Sequence, residues 1–259
     1  MKFLSWCEEV TGAVEDLIED LVGTTEAGEY IRMGADGTPT QRIDQLVEAC
    51  IVEYLEAHPL CRTLISEELG RKDMEGERGT IFLDPIDGTY NAVAGIPFYA
   101  LSIAYAEEGV VQQGFVRDLA HGETFSAERG KGAFHDGAPI HVSKTAFLES
   151  SAMSIYGRKF NPGNVMALGM KLRRWRLFGA SALELCYVGC GRIDGFIDLR
   201  GTLRVTDAAA GMLVCEEAGG VVSDVDGRRI RFPDEVTVGK SLIATNGALH
   251  YKVVEYLRS

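Results

Sequence analysis

Two short apolar runs in this chain stop abruptly at carboxylates. Arg62-Thr63-Leu64-Ile65 passes through Ser66 into Glu67-Glu68, and Thr80-Ile81-Phe82-Leu83 runs into Asp84-Pro85-Ile86-Asp87-Gly88-Thr89. Runs of this length and composition read as buried strands, so acids gather where each strand emerges. Carboxylates crowded at one place repel one another unless protons or cations compensate. Oxygen ligands of this hard type select magnesium, calcium or manganese over zinc. Pro85 and Gly88 predict a tight turn that aims both aspartates and the Ile86 carbonyl at one point. Thr89 then stands near the start of a short helix, where open backbone N–H groups suit a phosphate. Taken alone, D-P-x-D-G fits a surface turn as well as a metal site, and Glu67-Glu68 fits a solvated pair. At two successive strand ends, the metal reading is the more economical.

The rest of the composition narrows the partners. Acidic residues outnumber basic ones by 38 to 26, for a formal net charge of -12, which argues against a nucleic-acid backbone as partner. A phosphorylated small molecule remains compatible, because bound cations can turn an acidic cleft into an anion site. With 259 residues, 46% of them hydrophobic, the chain can bury a large core. It reads as a single unit over 1–259, with about 1–145 and 146–259 as the subdomains the pattern allows. No apolar stretch approaches the roughly 20 residues of a membrane span. The N-terminus turns acidic at Glu8-Glu9, so a cytoplasmic location is the default expectation. The six cysteines form no CxxC pair and read as reduced thiols, with Cys186 and Cys190 as core residues. The five histidines are scattered without a serine or cysteine nucleophile motif, and there is no G-x-x-x-x-G-K-[ST] loop.

Periodicity predicts a helix over 3–22, a loop over 24–38 and a second helix from Thr40 to Ala57 that His58-Pro59 ends. Strands follow at 62–65 and 80–83, separated by a charged loop at 69–79, and then at 98–106, 110–116 and 123–127. Further on, the pattern gives a helix from Gly163 to Lys171, a strand Trp175–Phe178 and a helix Ser181–Gly189. A strand Ile193–Leu199 and a helix capped by Thr206 and running through Glu217 come next. Strands at 221–224 and 242–245 and a helix over 247–257 close the chain. The alternation of helix pairs with strand runs implies an α/β (α+β) protein of stacked layers.

Asp84-Pro85-Ile86-Asp87-Gly88-Thr89-Tyr90-Asn91, with Gly95-Ile96-Pro97-Phe98 after it, resembles the DPIDGTxN signature of the inositol monophosphatase family. Glu67-Glu68 resembles that family's Glu-Glu pair. Asp207-Ala208-Ala209-Ala210-Gly211, followed by Glu216-Glu217-Ala218-Gly219-Gly220, resembles its late D-x-A-A-G element. Two positions depart from the usual pattern: Thr206 stands where tryptophan commonly precedes the aspartate, and Tyr90 replaces a small residue or threonine. Together with Gly34–Thr40 and Gly95–Tyr99, these features resemble the archaeal branch, whose members are commonly dual fructose-1,6-bisphosphatase and inositol monophosphatase enzymes.

The resemblance implies a lithium-sensitive, magnesium-dependent phosphomonoesterase with alternating α-β-α-β-α layers, in which manganese can replace magnesium. It implies that Glu67, Asp84 and the Ile86 carbonyl hold one ion, and that Asp84, Asp87 and Asp207 hold a second. A third, weaker ion would lie near Glu67 and the 28–40 loop, with Asp36 or Asp44 beside it. Glu67 and Thr89 would orient and deprotonate the attacking water, while Asp87, Gly88 and Thr89 meet the phosphate. Arg173–Ala182 resembles the element that lines the polyol pocket. Arg176, Ser181, Asp198 and Arg200 are the candidate substrate contacts there, with Arg204 adding charge, although the basic residues at 171–176 equally fit a solvated face. A homodimer is the family expectation. Two readings compete with fructose-1,6-bisphosphate and inositol-1-phosphate hydrolysis: a nucleotide 3′-phosphatase of the same superfamily, and a non-enzymatic regulatory protein on the same fold.

Overall fold

The computed structural model describes residues 2–156 and 162–258. Helix α1 (Phe3–Ile18) leads to a hairpin of β1 (Tyr30–Met33) and β2 (Pro39–Gln41), then to α2 (Arg42–Ala57). Strands β3 (Thr63–Ser66), β4 (Gly70–Asp73) and β5 (Thr80–Asp87) follow, with the short α3 (Thr89–Ala94) after them. Next come β6 (Ala100–Glu107), β7 (Val110–Asp118), β8 (Glu123–Glu128), β9 (Gly132–His135) and β10 (Ala138–Pro139). The remainder is β11 (Ala152–Tyr156), α4 (Pro162–Gly169), β12 (Arg174–Arg176), α5 (Ser181–Gly189), β13 (Gly195–Leu203), α6 (Val205–Glu217), β14 (Val221–Ser223), β15 (Lys240–Thr245) and α7 (His250–Arg258).

An eight-stranded sheet runs β10-β9-β8-β7-β6-β5-β3-β4, antiparallel except for the β3–β5 pair. A five-stranded sheet runs β12-β11-β13-β15-β14, with β11 parallel to both of its neighbours. Strand alternation sorts the core. Ile81 and Leu83 of β5, with Leu101 and Ile103 of β6, pack under α1 and α2. Phe82, Ala100 and Ala104 face the other way, onto α5 and α6. The far sides of those two helices, through Leu185, Val188, Ala208 and Cys215, meet Phe196, Leu242 and Ala244 of the second sheet. Its outer face, Ile197 and Ile243, packs on Val165 and Leu168 of α4 and Val253 of α7. Five layers result, α-β-α-β-α, as the family resemblance implies.

The middle helix layer is buried on both faces, which requires small residues for close approach. A Cβ at Gly211 would lie 2.7 Å from the Ala182 carbonyl oxygen, and one at Gly114 of β7 would lie 2.9 Å from that of Ala210. Four local expectations need correction, the first being that the buried β11 falls where the pattern placed no element. The 24–38 and 69–79 segments are not wholly loop, since they contribute β1 and β4. The N-cap of α6 is Arg204 rather than Thr206, which is buried inside the first turn.

Candidate metal centre

Strand β5 carries the turn that the sequence singles out, and its geometry explains the double aspartate. A regular strand would put Asp84 and Asp87 on opposite faces. Pro85 has no N–H to give the ladder, and the register with β6 slips between Asp84 and Asp87. After the slip, Ile86 joins the core beneath α1 and α2. Asp87 turns instead toward α5, where its two oxygens accept the Ser181 N–H at 2.9 Å and the Ala182 N–H at 2.6 Å. Both aspartates therefore face one cleft. Gly88 then adopts φ 92°, which favours glycine, and caps α3.

Glu67 leaves the end of β3 beside β5, and Asp207 sits in the first turn of α6, where it accepts the Arg204 backbone N–H at 3.0 Å. Carboxylate oxygens of Glu67, Asp84 and Asp207 all lie within 4.8 Å of one another. One oxygen of Asp84 is buried with no hydrogen-bond partner. Burial first, and then the charges of Asp84 and Asp207, push the Glu67 carboxyl well above the usual carboxylate range. Burial and the charge of Asp87 do the same to Asp84, and burial and Asp207 do so to Asp87. An all-oxygen donor set of several carboxylates, one oxygen of it unpartnered, fits a hard divalent cation.

Thr89 places its hydroxyl 2.9 Å from Asp44 Oδ1 and 2.9 Å from the Ile86 carbonyl oxygen. Burial, helped by the charge of Glu68, pushes Asp44 up to about 7. Glu68 turns away from the cluster and accepts the Thr40 hydroxyl. A cavity of about 220 Å³ opens over the centre, lined by Glu67, Asp84, Ile86, Asp87, Gly88, Thr89, Ser181, Arg200 and Asp207, with Tyr90, Tyr156, Gly179 and Arg204 completing the wall.

The expected substrate contacts divide. Arg200 lines the cavity, stacked 4.2 Å over the Tyr156 ring. Asp198 does not reach it: fully buried, it spends both oxygens on Arg200, with Nη2 at 2.6 Å and Nε at 3.1 Å. Its carboxylate orients Arg200 rather than facing a sugar. Arg176 lies exposed on the edge strand β12, outside the cavity lining. Tyr156 carried no sequence signal, since nothing near it in the chain marks it. It donates its hydroxyl to buried Glu184 at 2.9 Å, which fixes the ring as a wall.

Comparisons with known proteins identify the family. Residues 8–259 match the inositol monophosphatase family. A fructose-1,6-bisphosphatase/inositol-1-monophosphatase of Methanothermobacter thermautotrophicus is 43% identical, covering 94% of this chain and 92% of the relative. A bifunctional NADP phosphatase/NAD kinase of Methanococcus maripaludis is 34% identical over 98% of this chain, which spans only 49% of that longer protein. A solved inositol monophosphatase-fructose 1,6 bisphosphatase superposes with a TM-score of 0.91 at 28% identity, covering 99% of this chain and all of that one. The Thermotoga maritima inositol monophosphatase superposes with a TM-score of 0.83 at 30% identity, covering 100% of this chain and 97% of that one. This chain is a member of the inositol monophosphatase family, whose enzymes hydrolyse phosphoric monoesters.

Proposed function

We propose that this chain hydrolyses fructose-1,6-bisphosphate and inositol-1-phosphate with magnesium at the Glu67–Asp84–Asp207 cluster. The observation that carries the reading is the buried, unpartnered oxygen of Asp84 inside a ring of carboxylates, an arrangement that only a cation or a proton stabilises. Glu67, Asp84 and the Ile86 carbonyl would hold one ion, and Asp84, Asp87 and Asp207 would hold the other. Asp87 has lone pairs left for this, because the two backbone N–H groups use only part of its capacity. When bound, magnesium supplies Lewis-acid activation of water and charge neutralisation on the phosphate.

The protein's own groups do the rest. Glu67 and the Thr89 hydroxyl orient the attacking water, and the Thr89 oxygen takes its proton while passing its own to Asp44 Oδ1, 2.9 Å away. The first N–H groups of α3, at Gly88 and Thr89, have no partner within the helix and hold phosphate oxygens. Water attacks phosphorus, the ester P–O bond breaks, and its electron pair leaves with the sugar oxygen, which takes up a proton from solvent water. No covalent intermediate forms, so the rate rests on positioning and electrostatics. Arg200, held flat between Asp198 and Tyr156, receives the second phosphate of a bisphosphate as a guanidinium fork. A homodimer and a cytoplasmic location belong to this reading as family expectations.

Phosphate release with magnesium, measured on fructose-1,6-bisphosphate, inositol-1-phosphate, NADP and 3′-phosphoadenosine 5′-phosphate, tests the reading. NADP is included because of the NADP phosphatase relative. Release from the first two is expected, and no release from any of the four would favour a non-enzymatic role. Arg200→Ala should raise KM for the bisphosphate by about 10-fold or more, from one lost charged hydrogen bond, and change inositol-1-phosphate hydrolysis far less. Equal losses on both would remove Arg200 from second-phosphate recognition.

A further inference from the structure

Arg204 sits at the N-cap of α6 and, among the described residues, is the only arginine or lysine in ion-pair contact with the metal-centre carboxylates. Its Nη2 lies 2.7 Å from Glu67 Oε1 and 3.1 Å from Asp207 Oδ1. Its Nη1 pairs with Asp36, whose side chain is wholly buried although it belongs to a turn at the surface. The turn is self-contained: Asp36 accepts the Thr38 N–H at 2.8 Å, and Gly34 donates to the Thr38 carbonyl at 2.8 Å. It also packs against Glu68, the chain neighbour of Glu67. Ala35 donates to the Glu68 carbonyl at 3.1 Å, and a Cβ on Gly34 would lie 2.6 Å from Glu68 Oε2.

We propose that Arg204 is a positioning residue that latches the 34–38 turn, through Asp36, onto Glu67 and Asp207 and thereby sets those ligands in register. The inference rests on reading Glu67 and Asp207 as metal ligands. A planar guanidinium can bridge three carboxylates at once, whereas an ammonium serves them as a single point charge. Without Arg204, Asp36 would be a buried carboxylate with only Thr38 as donor, and burial of an unpaired charge is not sustained. The turn would then leave the cluster, and Glu67 would lose the group that fixes its orientation. Partners of this kind, one step out from the metal, govern affinity as strongly as some ligands do.

Binding of Mn2+, followed by its electron spin resonance signal, and amide hydrogen exchange on the metal-stripped protein test the latch in wild type, Arg204→Gln, Asp36→Asn and the double variant. Either single change should weaken Mn2+ binding by about 10-fold, and the double variant should be no weaker than the singles, because both break one unit. The amides of Gly34 and Ala35 should exchange faster in all three variants. Arg204→Lys should fall between wild type and Arg204→Gln. Tighter Mn2+ binding in Arg204→Gln would make Arg204 a mere competitor for the carboxylates and overturn the latch. Losses that multiply in the double variant would make Asp36 a ligand in its own right, and unchanged exchange would show that the turn does not depend on Arg204; either overturns it. Wild-type protein that binds no Mn2+ at all would sink the metal reading itself, a failure visible before any variant is made.

Discussion

At Asp84 a carboxylate oxygen lies buried with no donor in reach, next to Glu67 and Asp207. Such a residue costs the fold stability and is retained for what it binds, so removing its charge should separate activity from stability. Asp84→Asn keeps the shape and relieves the repulsion. Its metal-free melting point should rise by about 2–4 °C, the shift expected for ~1 kcal/mol in a domain of this size. Phosphate release should fall by about 100-fold or more. Lower metal-free stability, or wild-type turnover at saturating magnesium, would show that Asp84 is not held for a cation. Glu67, Asp84 and Asp87 were legible in the sequence, because acids at the ends of apolar runs contradict their surroundings locally, whereas Asp207 was marked only by its resemblance to the family's late D-x-A-A-G element. Tyr156 was not legible, and Arg204 was marked only as added charge near the substrate, not as a partner of the ligands. Arg204 meets Asp36 across 168 residues of chain, and Tyr156 meets Arg200 across a parallel strand pair. Residue type alone marks neither.

Among the elements, β5 does the most to build the centre, and Gly88 is its least replaceable joint. With φ at 92° and an added Cβ 3.0 Å from Ala180 Cβ and 3.1 Å from the Phe98 carbonyl oxygen, Gly88→Ala strains the backbone and crowds a rigid wall. Chemical denaturation should show a loss of about 1–3 kcal/mol together with reduced phosphate release. An unchanged denaturation midpoint would mean that the turn is looser than drawn. Most buried helices and strands were legible from their apolar period, and α5 falls on its expected residues, but the buried β11, Ala152–Tyr156, was not, because five residues are too few to show a period. Two further missed strands, β1 and β4, are short, exposed or charged: Tyr30-Ile31-Arg32-Met33 is open to solvent along most of its length, and Gly70-Arg71-Lys72-Asp73 forms a sheet edge. Edges carry charge because it discourages pairing with other chains, and that same charge hides them from a reading based on apolar pattern. The cap of α6 was missed for another reason: Asp207 satisfies the Arg204 N–H from the third helical position, so the cap needs no hydroxyl side chain.

For the whole molecule, the raised carboxyls make stability a joint function of pH and metal. Asp44 at about 7, with Glu67, Asp84 and Asp87 well above the usual range, binds protons in the native state that the unfolded chain has already released. A raised acid therefore favours the native state as pH falls through its folded value. Metal-stripped protein should melt higher at pH 6.5 than at pH 8, by about 1.4 kcal/mol per pH unit for each group titrating in that window. Below about 6.5, the ordinary value for histidine, the pattern becomes mixed, because burial lowers the pKa of His250 and its protonation favours the unfolded chain. Magnesium should raise the melting point more at pH 8 than at pH 6.5, since protons and cations serve the same oxygens. Calorimetry with and without chelator decides this, and a metal-free melting point that falls between pH 8 and 6.5 would overturn it. The Asp87 contact also ties cation binding to long-range assembly. Asp87 takes its hydrogen bonds from amides 94 and 95 residues further along the chain, so the centre cannot assemble from the first sheet and its two outer helices alone. Closing so long a loop is slow. Affinity for the cation should therefore emerge only once α5 has docked against the first sheet, and not with the first sheet alone.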